Sequence, residues 1–272
     1  MLHWDHPQVR DLIRLAVAED VGAGDVTTEA CVPRDSQSVG YFLTKQDLTL
    51  AGTDLLRIVY HEEKIEVLES DGTHVPTGKV FARVSGSTRR LLTLERTALN
   101  FLQRTCGVAT STSRFVKAIE GTGCTLLDTR KTSPGMRVLN KLSVRAGGGT
   151  NHRLGLFDAV LIKNNHIDAA GSITQAIENC RRTGRTIEVE VRDSGELEEA
   201  LSCGIRHILL DNFSPHQVAE AVERVAGRAK LEISGNVRLE TIRAYAEAGA
   251  DYISVGALTH SAPAADISFR LK

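Results

Sequence analysis

The 272-residue chain balances 33 basic against 34 acidic residues, and this near neutrality excludes a general nucleic-acid binder. Its 42% hydrophobic and 25% charged residues are typical of an ordinary globular protein, long enough for one large domain or two modest ones. No apolar run approaches the roughly 20 residues that span a bilayer, and the five scattered cysteines lack a CxxC pair, so we expect reduced thiols and a cytoplasmic location.

The first hundred residues predict a mixed α and β region. Residues 5–20 have the pattern of an amphipathic helix, with Asp5 as its N-cap and Pro7 in its first turn. A shorter hydrophobic period then predicts strands at 41–43, 48–50, 65–68 and 80–84. A short helix is predicted between them, over 53–60.

A strong helical pattern follows over residues 87–106, and Gly107 is its expected stop. Arg89, Arg96 and Gln103 recur at every seventh position and therefore share one strip of this helix. On periodicity alone, the simplest interpretation of this strip is a solvated face.

After a second helical stretch over 111–120, the rhythm changes to strand followed by helix. Strands are predicted at 124–127, 159–162, 186–191, 207–210, 230–233 and 251–255. Helices are predicted at 171–183, 194–203, 214–226 and 237–248. Repeated βα units imply an α/β fold with a parallel sheet, and six strands favour closure into a barrel over an open sheet.

Residues 126–166 carry an unusual concentration of positive charge. Only Asp128 and Asp158 oppose the cations of this segment, which are Arg130, Lys131, Arg137, Lys141, Arg145, Arg153 and Lys163. Some of these cations directly follow predicted strands, where desolvation is costly unless acids or an anionic ligand meet them. The segment therefore predicts the floor of a pocket for a small, highly charged anion.

Polar or glycine residues end all six predicted strands, on the rim where α/β barrels place their active sites. In the third strand, branched residues alternate with Glu188 and Glu190, so both carboxylates are expected to point inward, toward Lys163, Arg130 or a metal ion. The alternative is an exposed edge strand with solvated acids.

Several loops at this rim suit phosphate and metal binding. Residues 234–236 and 256–257 could hold phosphate or be ordinary turns, and residues 147–149 could approach a ligand or merely form a flexible turn. Asp211 and Glu190 suit Mg²⁺ held together with substrate oxygens. A single rim histidine such as His152 or His166 is by default a satisfied polar contact, and the histidine spacing does not indicate zinc.

Seven blocks of the sequence together resemble the quinolinate phosphoribosyltransferase family, also called nicotinate-nucleotide pyrophosphorylase (carboxylating). The blocks are ERTALNFLQ (95–103), DTRKTSPG (128–135), RAGGGTNHRLGLFDAVLIKNNH (145–166), EVEV (188–191), LLDN (209–212), ISGN (233–236) and DYISVGALTHSAPAADISF (251–269). The resemblance runs through nearly the whole chain, and the second and third blocks are highly specific in combination.

The resemblance implies an N-terminal α/β sandwich over residues 1–107, with the tail 263–272 packing back on it, and an open seven-stranded α/β barrel over 108–262. The six strands seen in the periodicity leave one barrel strand unassigned. It also implies a homodimer or higher oligomer that joins quinolinate to phosphoribosyl pyrophosphate with Mg²⁺, giving nicotinate mononucleotide, pyrophosphate and CO₂.

The matching motifs imply roles for particular residues. The quinolinate carboxylates would be surrounded by Thr129, Arg130, Lys131, His152, Arg153 and Lys163, joined by Arg96 from the partner subunit. Glu190 and Asp211 would serve ribose and metal and, with Lys131, would be catalytic. Phosphate would be held by Ser234, Gly235, Asn236, Val255, Gly256 and Ala257. Two positions depart from the family pattern: Asn164, where Asp is frequent, and Asn236, where Gly is frequent.

Three other functions compete with this one. A molybdenum-transport-associated homologue shares parts of the same blocks, although the intact NHRLGL and LIKNNHI runs favour quinolinate. A regulatory barrel that only binds a metabolite would not need Glu190 and Asp211. A phosphate-binding aldolase or isomerase would use Lys163 as a Schiff-base lysine.

Overall fold

The computed structural model describes residues 2–272. It divides the chain into two compact units, the first made of residues up to 113 with 132–148 and 257–272, the second of 114–131 and 149–256. This division differs from the expected boundary at 107/108, because the segment 132–148 lies with the first unit. Val138, Leu139 and Leu142 belong to the hydrophobic core of that unit, which explains the difference.

The helices are α1 Pro7–Val21, α2 Val26–Cys31, α3 Leu55–Val59, α4 Thr88–Ala118, α5 Arg137–Ala146, α6 Asn164–Ala170, α7 Ile173–Arg181, α8 Ser194–Ser202, α9 Pro215–Val225, α10 Ile242–Glu247 and α11 Ala257–His260. The strands are β1 Gln37–Thr44, β2 Leu48–Thr49, β3 Lys64–Val67, β4 His74–Val75, β5 Val80–Ser87, β6 Thr125–Leu127, β7 Val160–Ile162, β8 Ile187–Val191, β9 His207–Asp211, β10 Lys230–Ser234, β11 Tyr252–Ser254 and β12 Ile267–Leu271. Among the described residues, no helix combines the length and the hydropathy needed to cross a bilayer.

The first unit is built on a four-stranded antiparallel sheet in the order β12-β1-β5-β3. Phe42 on β1 is fully buried and contacts the rings of Tyr60, Phe81 and Phe269 at centroid distances of 5.0 to 6.3 Å. Because Phe269 lies on β12 and pairs with Phe42, the C-terminal tail supplies an outer strand of this sheet.

Helix α4 is one continuous helix of 31 residues, so the predicted break at Gly107 is wrong. A Cβ atom at Gly107 would lie 2.0 Å from the carbonyl oxygen of Pro263, which shows that the glycine permits close packing and does not end the helix. The solvated-face interpretation holds only for Arg96, which is exposed. Arg89 donates to the carbonyl of Val32 and Gln103 donates to that of Ile267, so these two positions join segments of the first unit.

The second unit contains all six predicted barrel strands in a parallel sheet of order β6-β11-β10-β9-β8-β7. On the free edge of β6, Thr150 forms a single parallel bridge with Leu127 and bonds to Leu126 and Asp128. The resemblance implied a seventh barrel strand, but the sheet of this unit has six, and the bridge at Thr150 extends its β6 edge by a single residue. Side chains from β8 and β10, two strands apart, reach the same cluster near His152, so the sheet curves into an open barrel.

Candidate active site

Lys163 and Glu190 form an ion pair at the carboxyl ends of neighbouring strands. The register pairs Leu161 with Glu188, so residues 163 and 190, two positions further on, lie on the same inner face. The ammonium Nζ of Lys163 lies 2.5 Å from Oε2 of Glu190, which is only 8% exposed. The predicted inward pairing of Glu190 with Lys163 is therefore confirmed, and the edge-strand alternative is wrong because β8 lies between β7 and β9.

The chain that follows β6 is joined to the segment 151–153 by a buried carboxylate. Asp128 is fully buried and accepts hydrogen bonds from the Asn151 side chain at 2.8 Å and the His152 main chain at 2.9 Å. This clamp fixes the segment that carries Arg153 beside the strand end that carries Arg130.

Arg130 and Arg153 lie close enough to influence each other's charge. Burial lowers the pKa of Arg153, and the positive charge of Arg130 lowers it further, while the charges of Glu188 and Asp158 oppose both effects. Two guanidinium groups held together in a partly desolvated place are an anion-binding arrangement, since each supplies a planar set of donors.

The loop after Arg153 is tightly organised. Asp158 accepts the main-chain N–H groups of Leu154 at 2.6 Å and Gly155 at 3.2 Å, and the Arg153 guanidinium donates to the Ala159 carbonyl at 3.1 Å. Burial raises the pKa of Asp158, but these N–H groups outweigh burial and lower it overall. The loop is thus held by Asp158, and the guanidinium of Arg153 is anchored to its far end at Ala159.

Glu188 has a different partner from those expected. Its Oε2 lies 3.1 Å from Nε2 of His152, and its second oxygen lies 3.9 Å from Nε2 of His207. Burial raises the pKa of Glu188, but the hydrogen bond from His152 and the charges of both histidines lower it overall. Glu232, fully buried on β10, completes this cluster.

Sequence reasoning missed Glu232 and His207. The signal for Glu232 was present, because it stands between Leu231 and Ile233 as Glu188 stands between Ile187 and Val189. The same alternation rule would have placed it inside the barrel. His207 begins a strand, and nothing local marks it as a partner of acids 19 and 25 residues away.

Glu190 and Asp211 suit a magnesium ion by their chemistry and position. They lie at the carboxyl ends of the neighbouring strands β8 and β9, and the pairing of Glu190 with Leu209 puts Asp211 two residues further along the same face. Lys163 already engages one oxygen of Glu190. Mg²⁺ commonly takes only one or two carboxylates and completes its shell with water and substrate phosphate, so this donor set fits such an ion.

The loops after β9 and β10 are fastened to each other. The main-chain N–H of Asn212 donates to the Ser234 carbonyl at 2.9 Å, and the Asn236 side chain donates to that of Asn212 at 3.2 Å. Gly235 has φ 102°, and a Cβ there would lie 2.1 Å from the Asn212 side-chain oxygen, so glycine is required. The result is a preformed loop at the rim of the barrel.

Several other residues are predicted from the sequence to bind substrate. Lys131 is exposed, and its main-chain N–H bonds to the Thr129 hydroxyl at 3.0 Å. Val255 is buried and bonded to Leu127, with Gly256 beside it. Ala257, Arg96 and Gly147 lie in the first unit.

Local contacts decide between the alternative interpretations of His166 and of the glycine segment that begins at Gly147. His166 accepts the Lys163 main-chain N–H at 2.9 Å within the first turn of α6, which is the ordinary polar contact expected by default. A Cβ at Gly147 would lie 2.4 Å from the Ala109 carbonyl, so this glycine serves packing against α4.

Most of the chain is matched by two models of the same family. Residues 25–106 match the quinolinate phosphoribosyl transferase N-terminal domain, and residues 108–270 match the C-terminal domain.

Named relatives and solved structures agree with these models. A nicotinate-nucleotide pyrophosphorylase [carboxylating] from Mycobacterium leprae is 41% identical, with 96% of each chain covered. The chloroplastic enzyme of that name from Arabidopsis thaliana is 39% identical over 98% of this chain and 84% of its own length. The solved nicotinate-nucleotide pyrophosphorylase from Francisella tularensis superposes with a TM-score of 0.94 at 39% identity, covering 98% of both chains.

Proposed function

This chain belongs to the quinolinate phosphoribosyl transferase family, and we propose that it transfers a phosphoribosyl group from phosphoribosyl pyrophosphate to quinolinate. The reaction removes one carboxylate as CO₂ and yields nicotinate mononucleotide and pyrophosphate, a step of NAD biosynthesis.

The observation that carries this proposal is the gathering of cations at one end of the barrel. Arg153 lies within electrostatic range of Arg130, and Lys163 follows β7, so all three cations lie at the carboxyl-end rim. A dicarboxylate and a pyrophosphate repel each other, so a site that binds both needs several fixed positive charges. Arginine suits this task because its planar fork pairs with a carboxylate through two hydrogen bonds.

The quinolinate subsite follows from the same geometry. Its proposed members are Thr129, Arg130, Lys131, His152, Arg153 and Lys163. All of them lie in the second unit, on strand ends or on the clamped segment 151–153. Of the two loops proposed for phosphate, the one over 234–236 is supported by its fixed backbone.

The chemistry proceeds without a covalent enzyme intermediate. The pyridine nitrogen of quinolinate forms a bond to the anomeric carbon while the bond from that carbon to pyrophosphate breaks. Positive charge develops on the ribose, and the carboxylates of Glu190 and Asp211 stabilise it. The adjacent carboxylate then leaves as CO₂, its bonding electron pair stays on the ring carbon beside the pyridinium nitrogen, and a proton replaces it.

We also propose that Glu190 and Asp211 would hold Mg²⁺, which would neutralise the charge of the leaving pyrophosphate. The support is the donor set described above. Retention of the ion is expected to depend on Asp211 more than on Glu190, because Lys163 engages one oxygen of Glu190.

We also propose a homodimer in which Arg96 enters the site of the partner subunit, in a cytoplasmic protein. Arg96 is exposed on α4, and its side chain makes no hydrogen bond or ion pair within residues 2–272. The cytoplasmic location is supported by the five cysteines, which are all free thiols.

The direct test is incubation with quinolinate, phosphoribosyl pyrophosphate and Mg²⁺, with separate measurement of CO₂ and nicotinate mononucleotide. Equal amounts of both products are expected, and both should form much more slowly with Arg153→Ala at quinolinate concentrations near the wild-type KM. Arg182→Ala, which removes an exposed arginine next to α7, is the matched control and should retain activity.

Binding, turnover and borohydride trapping, measured on the same protein, distinguish the competing functions. Substrate binding without product would indicate a regulatory barrel. Trapping of a substrate on Lys163 by borohydride would indicate an aldolase, but the amine of Lys163 is engaged by Glu190, which disfavours a role as nucleophile.

A further inference from the structure

Four side chains meet inside the barrel, below the quinolinate subsite, and we call them the interior quartet: His152, Glu188, His207 and Glu232. Each histidine approaches both glutamates. His152 Nε2 lies 3.1 Å from Glu188 and 3.5 Å from Glu232. His207 Nε2 lies 3.4 Å from Glu232 and 3.9 Å from Glu188. Histidine and carboxylate therefore alternate around a closed ring.

The quartet is deeply buried. Glu232 is 0% and Glu188 is 5% exposed, and neither oxygen of Glu232 makes a well-directed hydrogen bond within residues 2–272. Two carboxylates in a protein interior are costly to desolvate, and hydrophobic residues of similar volume would fill the same space without that cost. Such a cluster calls for a role beyond filling the barrel.

The ring of His152 has a defined tautomer. Its Nδ1 accepts the main-chain N–H of Arg153 at 2.7 Å, so Nδ1 carries no proton. The ring proton is therefore on Nε2, where it is donated to Glu188 Oε2. In this tautomer both ring nitrogens are engaged by the protein.

The same tautomer argues against a metal ion in the quartet. His152, Glu188 and Glu232 have the spacing of metal ligands. A metal-bound histidine uses a nitrogen lone pair and donates a proton from its other nitrogen. Here the other nitrogen accepts, and Nε2 holds the proton, so the quartet is held by the His152–Glu188 hydrogen bond and by the attraction between the histidines and the carboxylates.

We propose that Glu188, supported by Glu232 and His207, is a positioning residue for the quinolinate subsite, acting through His152 on Arg153. Glu188 fixes the ring of His152, and the ring holds the main-chain N–H from which the Arg153 side chain extends. The segment 151–153 has no regular secondary structure, so its shape depends on such bonds. Asp128 secures its beginning, and the quartet secures its end.

This inference rests on the proposed function, because it assigns the affected subsite to quinolinate. Glu188→Leu removes the acceptor for His152, whereas Glu188→Gln keeps an acceptor oxygen at the same place. Losing the bond should raise the quinolinate KM by about tenfold or more in Glu188→Leu, and Glu188→Gln should recover most of this loss. The KM for phosphoribosyl pyrophosphate should change by less than about threefold in both variants, since each acts through His152 and Arg153 on the quinolinate subsite.

A second measurement does not depend on activity or on the folding of a leucine variant. Nitrogen NMR of ¹⁵N-histidine-labelled wild-type protein distinguishes protonated from unprotonated ring nitrogens, and His152→Gln identifies the His152 signals by their loss. We expect an unprotonated Nδ1 and a protonated Nε2. In Glu188→Gln this pattern should persist.

Several results would overturn the proposal. A His152 ring protonated on Nδ1, or on both nitrogens, would remove its basis even if the enzyme makes nicotinate mononucleotide. Equal increases in both KM values for Glu188→Leu would indicate general disruption. One equivalent of zinc bound by wild-type protein and lost in Glu232→Gln would show a metal site instead. Failure of the wild-type enzyme to turn over quinolinate would refute the proposed function. The NMR result alone would then decide whether His152 donates its Nε2 proton to Glu188.

Discussion

The ammonium of Lys163 lies 2.5 Å from the buried carboxylate of Glu190, and this pair joins β7 to β8 at the rim of the barrel. Lys163→Ala removes a cation from the proposed quinolinate subsite and leaves Glu190 without its partner. We expect the free energy of unfolding to fall by about 1 kcal/mol, since the lysine side chain is 47% exposed and water screens the pair. The catalytic efficiency, kcat/KM for quinolinate, should fall by about tenfold or more.

A double-mutant cycle checks the origin of the stability loss. Glu190→Gln in the Lys163→Ala background should restore stability measured by urea unfolding, because the unpaired charge is gone. Activity should not return, since both side chains are needed by the proposed reaction. Additive losses of stability would show that the two groups do not interact.

Arg130 and Arg153 are expected to bind the carboxylates of quinolinate directly. Arg130→Ala or Arg153→Ala each removes a charge-assisted pair worth about 1.5–3 kcal/mol, so the quinolinate KM should rise by about 10- to 150-fold. Arg153→Lys keeps the charge but loses the planar fork, and should recover only part of the affinity. Steady-state kinetics at saturating phosphoribosyl pyrophosphate measure both effects, and unchanged kinetics would contradict the assignment.

The strand and helix rhythm made the barrel predictable, because each βα unit repeats a pattern that is local in sequence. The inward direction of Glu188 and Glu190 was predictable for the same reason. The partner of Glu188 was not, because His152 reaches it from a segment without regular structure, and no local pattern fixes where such a segment lies. The sheet has six strands and not the seven that the resemblance implied, and the single bridge at Thr150 beside β6 is too short to have a period.

The prediction that a helix ends at Gly107 was wrong for a different reason. Gly107 was expected to end a helix because an exposed glycine is a common C-cap. It instead allows Pro263, more than 150 residues away, to lie against α4. Sequence alone does not distinguish a glycine that ends a helix from one that admits another segment.

Gly107→Ala tests this packing. A methyl group 2.0 Å from the Pro263 carbonyl would force the two segments apart, so we expect a loss of about 1–3 kcal/mol in the free energy of unfolding, despite the higher helix propensity of alanine. Urea denaturation measures this loss. Ser111→Ala, one turn further along the same helix, is the control and should be neutral or slightly stabilising. A stabilised Gly107→Ala would mean that the helix is not constrained at this point.

His207 should make stability depend on pH. Burial lowers the pKa of His207, but the Glu232 carboxylate 3.4 Å from its Nε2 and the charges of Glu188 and Asp251 outweigh burial and raise the pKa above 6.5. A histidine with a raised pKa in the folded state stabilises that state fully below pH 6.5, and the contribution is lost as pH rises through the folded-state value.

The comparison that isolates this effect uses His207→Gln. The difference in unfolding free energy between wild type and variant should be largest below pH 6.5 and should shrink at higher pH. Urea titrations at several pH values measure it. A difference that grows with pH would show that His207 is neutral in the folded protein. Glu188, whose pKa is lowered, contributes in the other direction, and its stabilisation is lost only in acid.

The proposed contribution of Arg96 from a partner subunit has a quantitative test. Arg96→Ala and Lys163→Ala subunits should each be nearly inactive alone. After unfolding together and refolding, a hybrid dimer contains one barrel with its own Lys163 and the partner's intact Arg96. Random mixing makes half of the dimers hybrids with one working site of two, so about a quarter of the wild-type activity should return. Mixing Arg130→Ala with Lys163→Ala is the control, because both residues lie in the same barrel unit and no hybrid has an intact site. If verified hybrids of the first pair are as inactive as the control, Arg96 does not act across a subunit interface.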